Sequence, residues 1–315
     1  MESKLAQHII HQPLLRSSIG KDVGFSHGKI GYMYTIFAFW LIAFNLSAQT
    51  SHIFPLGRGN IQTMVVDSGN IRILYAMNAE DINDEKTYDD LQRLEIGTEL
   101  SKYYSYYLFR NDSLIGDFRK KNPNARSSPY QPGEVGKKGY CWQIFIWSDY
   151  FKNFGKNEFT EYAFMPAGLN SMHSQYTEEI QKMDWNLHDD TLIICGYSCQ
   201  KATCRFRGRD YVAWFAAEIP ISNGPWKFGG LPGLILKVYD TEKYYEFECI
   251  KIESHPKKYP ILMTDTKRYR SIERTKLNQL NKEIYADYFK FNPRLGPDGT
   301  PIKFIPIPYH PLELE

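Results

Sequence analysis

Three cysteines, Cys195, Cys199 and Cys204, fall within ten residues, and thiols this close raise the question of metal or redox chemistry. Their spacing, Cys-x3-Cys-x4-Cys, lacks the close Cys-x2-Cys pair of a zinc knuckle, and no histidine lies nearby. No metal is implied. Cys141 and Cys249 bring the total to five, so at least one thiol stays unpaired. The structural use of such residues is to tie adjacent strands, which makes Cys195, Cys199, Cys204 and Cys249 the candidate disulfide cysteines, with a connectivity that sequence does not fix.

Other catalytic patterns are missing. His52, His173, His188, His255 and His310 are scattered, with none at i, i+4 on a helix and none beside a Glu-x-x-His. The chain holds no Gly-x-Ser-x-Gly elbow, no phosphate loop ending in Lys-Ser/Thr and no His-Glu-x-x-His. With no acid, base or nucleophile constellation, the expectation is a non-enzymatic protein without a cofactor. Lys201, Arg205, Arg207 and Arg209 form a basic run, but Ala202, Cys204 and Phe206 alternate with them, as on the solvated outer face of a hairpin.

The most unusual stretch is Gly224 to Asp240. Gly224, Gly229, Gly230 and Gly233 crowd its first half, and Pro225 and Pro232 fix φ and remove two backbone donors, which gives a rigid, shaped loop. Its glycines precede a strand, so the helix N-terminus that an anion cradle needs is absent. From Leu234 to Tyr239 the pattern alternates as a strand does, with Leu234, Leu236 and Val238 on one face. Trp226 and Phe228 flank Lys227 in the loop, held at little entropic cost. Two readings stand: the aromatics anchor a ligand or partner, or Trp226 plugs the end of a barrel. On the first, the candidate binding residues are Trp214, Trp226, Phe228, Gly230, Leu231, Pro232 and Gly233.

The run Gly230 to Ile235 resembles the signature of the GLPGLI family of envelope proteins from Bacteroidota. Tyr197, Cys199, Lys201, Ala202, Gly208, Arg209, Ala213, Trp214, Ile219, Pro220, Gly224, Pro225 and Trp226 follow that family's order and spacing. A weaker likeness reaches upstream to Ile96-Gly97 and Ser101-Lys102-Tyr103. The resemblance implies a secreted β-rich protein and no particular reaction.

Around these residues the chain supplies ample core, with 43% apolar and 15% aromatic residues, a balance that favours pleated, half-buried surfaces. The uncharged run from Ile30 to Gln49 has an apolar centre, Tyr34 to Phe44, and ends in Leu46-Ser47-Ala48, which fits a signal peptide cleaved after Ala48. Gly31, Asn45 and Ser47 leave it short of the roughly 20 apolar residues of a retained anchor. The expected organisation is a leader and signal peptide over 1–48 and one β-rich domain with a Pro-rich tail over 49–315, periplasmic or secreted, with no stable transmembrane span after cleavage. Residues 1–48 carry the only charge excess, so the remainder is formally neutral and has no electrostatic footprint for nucleic acid. An apolar ligand or an envelope protein is the expected partner.

Asn60 to Val66 and Ile71 to Met77, split by Asp67-Ser-Gly-Asn70, read as a hairpin. Leu91 to Glu95 and Ser101 to Phe109 read as strands about Gly97, and Asn111 to Lys121 as a short helix capped by Asn111. Asn122 to Lys138 is a polar loop. Eight runs then suit one antiparallel meander: Gly139 to Trp147, Asn157 to Phe164, Ser171 to Ile180, Thr191 to Tyr197, Lys201 to Phe206, Tyr211 to Ala217, Leu234 to Tyr239 and Tyr244 to Ile252. Ile272, Leu277, Leu280, Ile284 and Tyr288 mark a helix within Ser271 to Phe289, and six prolines make Asn292 to Pro311 helix-free. The fold expected is mainly β: a large antiparallel meander sheet curled into a partial or complete barrel, with a C-terminal helix.

Overall fold

The computed structural model describes residues 63–129, 147–267 and 269–315. The chain divides into two units, 1–50 and 51–315, and every described residue belongs to the second. The expected signal peptide and its cleavage point, Cys141, residues 139–146 of the expected first meander strand, and residues 60–62 of the expected hairpin lie outside the described residues.

The fold is mainly β. Its strands are β1 (Thr63–Met77), β2 (Asp90–Gly97), β3 (Leu100–Ser105), β4 (Ser148–Asn153), β5 (Glu158–Ala163), β6 (Ser174–Glu179), β7 (Asn186–Ile194), β8 (Tyr197–Phe206), β9 (Arg209–Ala216), β10 (Leu234–Asp240), β11 (Glu246–Thr264) and β12 (Arg270–Ser271). They form one sheet in the order β12-β6-β5-β4-β3-β2-β1-β11-β10-β9-β8-β7. Every pairing is antiparallel except β12 on β6. Two meanders, β2 to β6 and β7 to β11, are therefore joined along the central pair β1 and β11.

That pair explains one departure from the sequence reading. The expected hairpin at Asp67-Ser-Gly-Asn70 does not form, and β1 runs straight through it. Its partner β11 is 19 residues long and accepts β1 along its length, with register shifts at Val65/Asp67, Gly69/Ile71 and Leu74/Tyr75. Turn-forming residues are absorbed as bulges when a long strand is available opposite. Pro256 falls in the β11 segment skipped between Ser254 and Tyr259, where a missing N–H costs no ladder bond.

The second departure lies at Tyr103 to Phe109. The strand stops at Ser105, whose hydroxyl accepts the Leu108 N–H and caps helix α1 (Tyr106–Lys121). Asn111, expected as the cap, is buried inside that helix. Arg119, Lys120 and Lys121 occupy the last turn, where cations complement the helix dipole. At the far end, α2 (Arg274–Ala286) buries Leu277, Asn281, Ile284 and Tyr285 at helical spacing, followed by the single turn α3 (Tyr288–Phe291). Residues 292–315 hold no helix.

The sheet is curled but not closed. Arg207, in the β8–β9 turn, lies 2.8 Å from Glu178 of β6, although these strands sit near opposite ends of the strand order. Side chains bridge the gap where no ladder does. The concave side carries Tyr75, Tyr103, Tyr150 and Phe247 in edge and tilted contacts at centroid distances of 6.3 to 6.4 Å. A smaller cluster of Phe151, Tyr259 and Ile261 packs separately.

Candidate functional site

The segment Ile219 to Gly233 leaves β9, crosses the concave side and returns as β10. Its path is fixed by backbone bonds from Leu234 N to Ile219 O and from Ile235 N to Asn223 O, and by the Trp185 indole donating to Gly229 O. Gly233 makes the return possible: a Cβ there would stand 2.2 Å from the Ala216 carbonyl oxygen, so only glycine allows this approach. Trp226 adopts φ +48°, a left-handed conformation that a bulky residue holds only when its surroundings compel it.

Those surroundings are the core. Trp226 is 3% exposed and Phe228 is fully buried, with ring centroids 5.3 Å apart. Phe206 meets the Trp226 edge at 6.0 Å and Tyr211 meets Phe228 at 4.8 Å. Leu231 and Gly233 are buried as well, whereas Gly230 and Pro232 face solvent. Trp214 stands half-buried on β9 between the inward-pointing Ala213 and Phe215, so strand alternation places it on the sheet face opposite them. The seven candidate binding residues thus do not converge on one surface.

Beneath the loop sits a lysine that sequence reasoning passed over. Lys152, on β4, is 5% exposed and donates to Asn223 Oδ1 at 2.8 Å and Phe228 O at 2.5 Å, with Gly224 O at 3.4 Å. Asn223 is fully buried and links this group to β3 by donating to Ser101 Oγ at 2.9 Å. Burial pulls the Lys152 ammonium down from 10.5 to about 7, because it is cut off from water and its hydrogen-bond partners are neutral oxygens. No local pattern marks it, because every residue from Ser148 to Lys152 is buried and β4 shows no alternation that would single this lysine out.

A second polar group adjoins the first. Lys227 reaches Glu178 Oε1 at 2.6 Å and also the Glu313 carboxylate, while Arg274 pairs with Glu313 and approaches Glu178 at 3.6 Å. Glu313 comes from the Pro-rich tail, which is held from both sides. Arg209 donates twice to Pro311 O, Tyr211 donates to Leu312 O, and Leu314 N donates to Arg207 O. Glu161, partly exposed along its chain but desolvated at its carboxyl group, is raised from 4.5 to about 7 by burial, with Lys227 and the Ser148 hydroxyl pulling the other way. The tail and the loop therefore fill the concave side with the protein's own residues, held by charge pairs.

Among the described residues no group of three or more His, Cys, Asp or Glu side chains is placed to hold a metal. Of the four described cysteines, Cys199, Cys204 and Cys249 are buried and Cys195 is exposed, all as free thiols. Cys195 Sγ and Cys249 Sγ stand 3.4 Å apart.

At the free end of the sheet, β7 is the last strand among the described residues. Its register with β8 breaks between Leu187 and Thr191, where Asp189 and Asp190 project outward and Asp190 meets Lys201 at 3.3 Å. A bulge and acidic side chains are common protection for an edge. The second half lacks both: Thr191 to Ile194 pair regularly with β8, and Leu192 and Ile193 are exposed. Elsewhere, a cleft of about 430 Å³ opens between α1 and the sheet, lined by Lys102, Tyr104, Phe109, Asp112, Asp149 and Leu262 among others. No helix among the described residues is long and apolar enough to cross a membrane.

A family model described as "Protein of unknown function (Porph_ging)" matches residues 207–237, the span from the β8–β9 turn to the middle of β10. No curated protein matches the chain. Among solved structures, "Structure of PNGF-II in P21 space group" is similar at 15% identity with a TM-score of 0.41, over 67% of this chain and 33% of that one. "Structure of PNGF-II in C2 space group" is similar at 13% identity with a TM-score of 0.40, over 67% and 32%. The chain thus spans about a third of the length of the structures it matches.

Proposed function

We propose that this chain is an exported, non-enzymatic binding protein of the cell envelope that takes an extended peptide segment of a protein partner onto the open half of β7. The observation that carries the reading is that edge: Thr191 to Ile194 form regular ladder on one side, are the sheet's end on the other, and present exposed Leu192 and Ile193. An added strand would gain main-chain hydrogen bonds there, and its alternate side chains would meet apolar neighbours. The resemblance to the GLPGLI family and the apolar run Tyr34 to Phe44 support the envelope location.

Carriage of an apolar ligand on the concave face has less support, because Trp226, Phe228 and residues 311–314 occupy that side. The alternative of an interaction or assembly factor for outer-membrane machinery, with the Gly224 to Gly233 loop as its contact, also has less support, because in that loop Gly230 and Pro232 alone are exposed.

The test is a photo-crosslinking amino acid at Ile193 in the native host, with the same probe at Thr160 on β5 as control. A protein adduct of defined mass from Ile193 alone, lost when Leu192 is changed to Lys, is the expected result. Absence of any site-specific adduct overturns the reading. Co-purification of lipid, seen by native mass spectrometry, would favour the carrier. N-terminal analysis of the same material should find Gln49 as the first residue, and an intact Tyr34 to Phe44 in the membrane fraction would contradict export by cleavage.

A further inference from the structure

We propose that Cys195 and Cys249 are a disulfide-forming pair, entered from solvent through Cys195, and that Cys199 and Cys204 remain thiols. This rests on the position of the four described sulfurs and stands apart from the proposed function. Cys195 and Cys249 are 54 residues apart in sequence, yet their Sγ atoms are 3.4 Å from each other, and Cys195 Sγ also lies 3.0 Å from Cys249 O. A disulfide needs an S–S distance of about 2.05 Å, so the sulfurs must close by a little more than an ångström. The turn supplies that movement: Cys195 and Gly196 are the two central residues of the β7–β8 hairpin, at φ +48° and +83°, and Gly196 has nothing within 4 Å of where a Cβ would stand.

The other two thiols are placed differently. Cys199 is fully buried and its Sγ contacts Tyr197 O at 3.6 Å. Cys204 is buried farther along β8, and burial raises its thiol to about 12. Within the close pair the roles divide by exposure. Cys195 is exposed and its thiol is lowered, chiefly by the hydrogen bond with Cys249, whereas Cys249 is buried and its thiol is raised by the same contact. Cys195 is therefore the attacking sulfur and Cys249 the resolving one.

The reaction needs an oxidant of the disulfide class, either a small-molecule disulfide or an oxidoreductase. Cys195, as thiolate, attacks one sulfur of the donor disulfide; the donor S–S bond breaks, a mixed disulfide forms on Cys195, and one donor thiol leaves with a proton from solvent. Cys249 gives up its proton and attacks Cys195 Sγ, which breaks the mixed bond and releases the second donor thiol. Two cysteine thiols are oxidised and one donor disulfide is reduced to two thiols. The product ties the β7–β8 hairpin to β11, three places away in the sheet order.

The experiment uses the purified full chain and oxidised glutathione, followed by alkylation and non-reducing peptide mapping. The expected outcome is a loss of about 2 Da with one linked peptide pair carrying Cys195 and Cys249, while Cys199 and Cys204 take the alkyl group. Melting temperature should rise by about 5 to 15 °C over the reduced protein, the size expected for closing a loop of this length in a chain of this size. Cys249→Ser should halt at a glutathione adduct on Cys195. Cys195→Ser, at an exposed turn where folding is not at risk, should form no bridge even if the Cys249 variant fails to fold. A bridge mapped to Cys199, Cys204 or Cys141, or an oxidised protein in which both Cys195 and Cys249 are alkylated, overturns the proposal.

Discussion

Replacing Lys152 with Met tests whether the loop is held by a buried amine of depressed pKa. The substitution keeps the aliphatic volume but removes the donor to Asn223 Oδ1 and Phe228 O. Asn223 Oδ1 still accepts from Gly224 N, so the bare acceptor is mainly Phe228 O, and one to two unsatisfied groups at about 1 to 3 kcal/mol each give a loss of about 1 to 6 kcal/mol at pH 7. The pH dependence discriminates further. Between the folded value of about 7 and the ordinary 10.5, the unfolded chain binds a proton that the folded chain has shed, so the wild type gains stability as pH rises. From pH 7 to 9 this amounts to about 2 kcal/mol, and the Met variant lacks it. Urea melts of both proteins at pH 7, 8 and 9, followed by tryptophan fluorescence, should show the gap between them widening by that amount. A gap that stays constant with pH would mean that Lys152 keeps its proton throughout and that the three carbonyl-type oxygens hold an ammonium.

Three further outcomes are expected. Trp226→Ala should cost about 3 to 5 kcal/mol in denaturant melts, since it empties a packed aromatic site, and a variant of unchanged stability would show that the ring contributes nothing to the core. Gly233→Ala should be more damaging than its one methyl suggests, because the added Cβ meets main-chain atoms of Ala216 and Ala217 that cannot rotate away, and recovery of soluble, cooperatively folding protein would refute this. Glu161→Gln should flatten acid-side behaviour: the folded carboxyl holds its proton up to about 7, so its contribution is complete below pH 4.5 and lost as pH rises to 7. Wild-type melting temperature should fall relative to the Gln variant across that interval, and parallel curves would contradict the assignment.

The parts of this fold that could be read in advance are those governed by local pattern. Phe247 and Cys249 alternate inward against Glu246 and Glu248, and Leu277, Ile284 and Tyr285 repeat at helical spacing, so the strand and the helix follow from one-dimensional periods. The continuous β1 was not legible, because Asp67-Ser-Gly-Asn70 is a good turn in isolation and only the long β11 opposite overrides it. Lys152 and the Lys227–Glu178–Glu313–Arg274 group were missed for a related reason. Each looks like an ordinary surface charge in its own segment, and the burial arises when β4, β6, the loop and the tail meet. The cysteine pair shows the same limit: Cys195 lies nearer in sequence to Cys199 and Cys204 than to Cys249, which is the sulfur it faces.

The central pairing of β1 with β11 bears on how the molecule is made. Contacts that fasten these strands, such as Glu246 N to Asn78 Oδ1 and the Tyr259 hydroxyl to Ile71 O, span 168 and 188 residues of chain. Until β11 has emerged, β1 has an open ladder edge, and its apolar segment Ile73 to Met77 lacks the strand that covers it. Such a topology folds slowly, since long loops must close before their contacts repay the entropy, and the waiting strand is exposed to pairing with other chains. The strand order thus makes residues 63–77 the part of the chain most in need of shielding before β11 is complete.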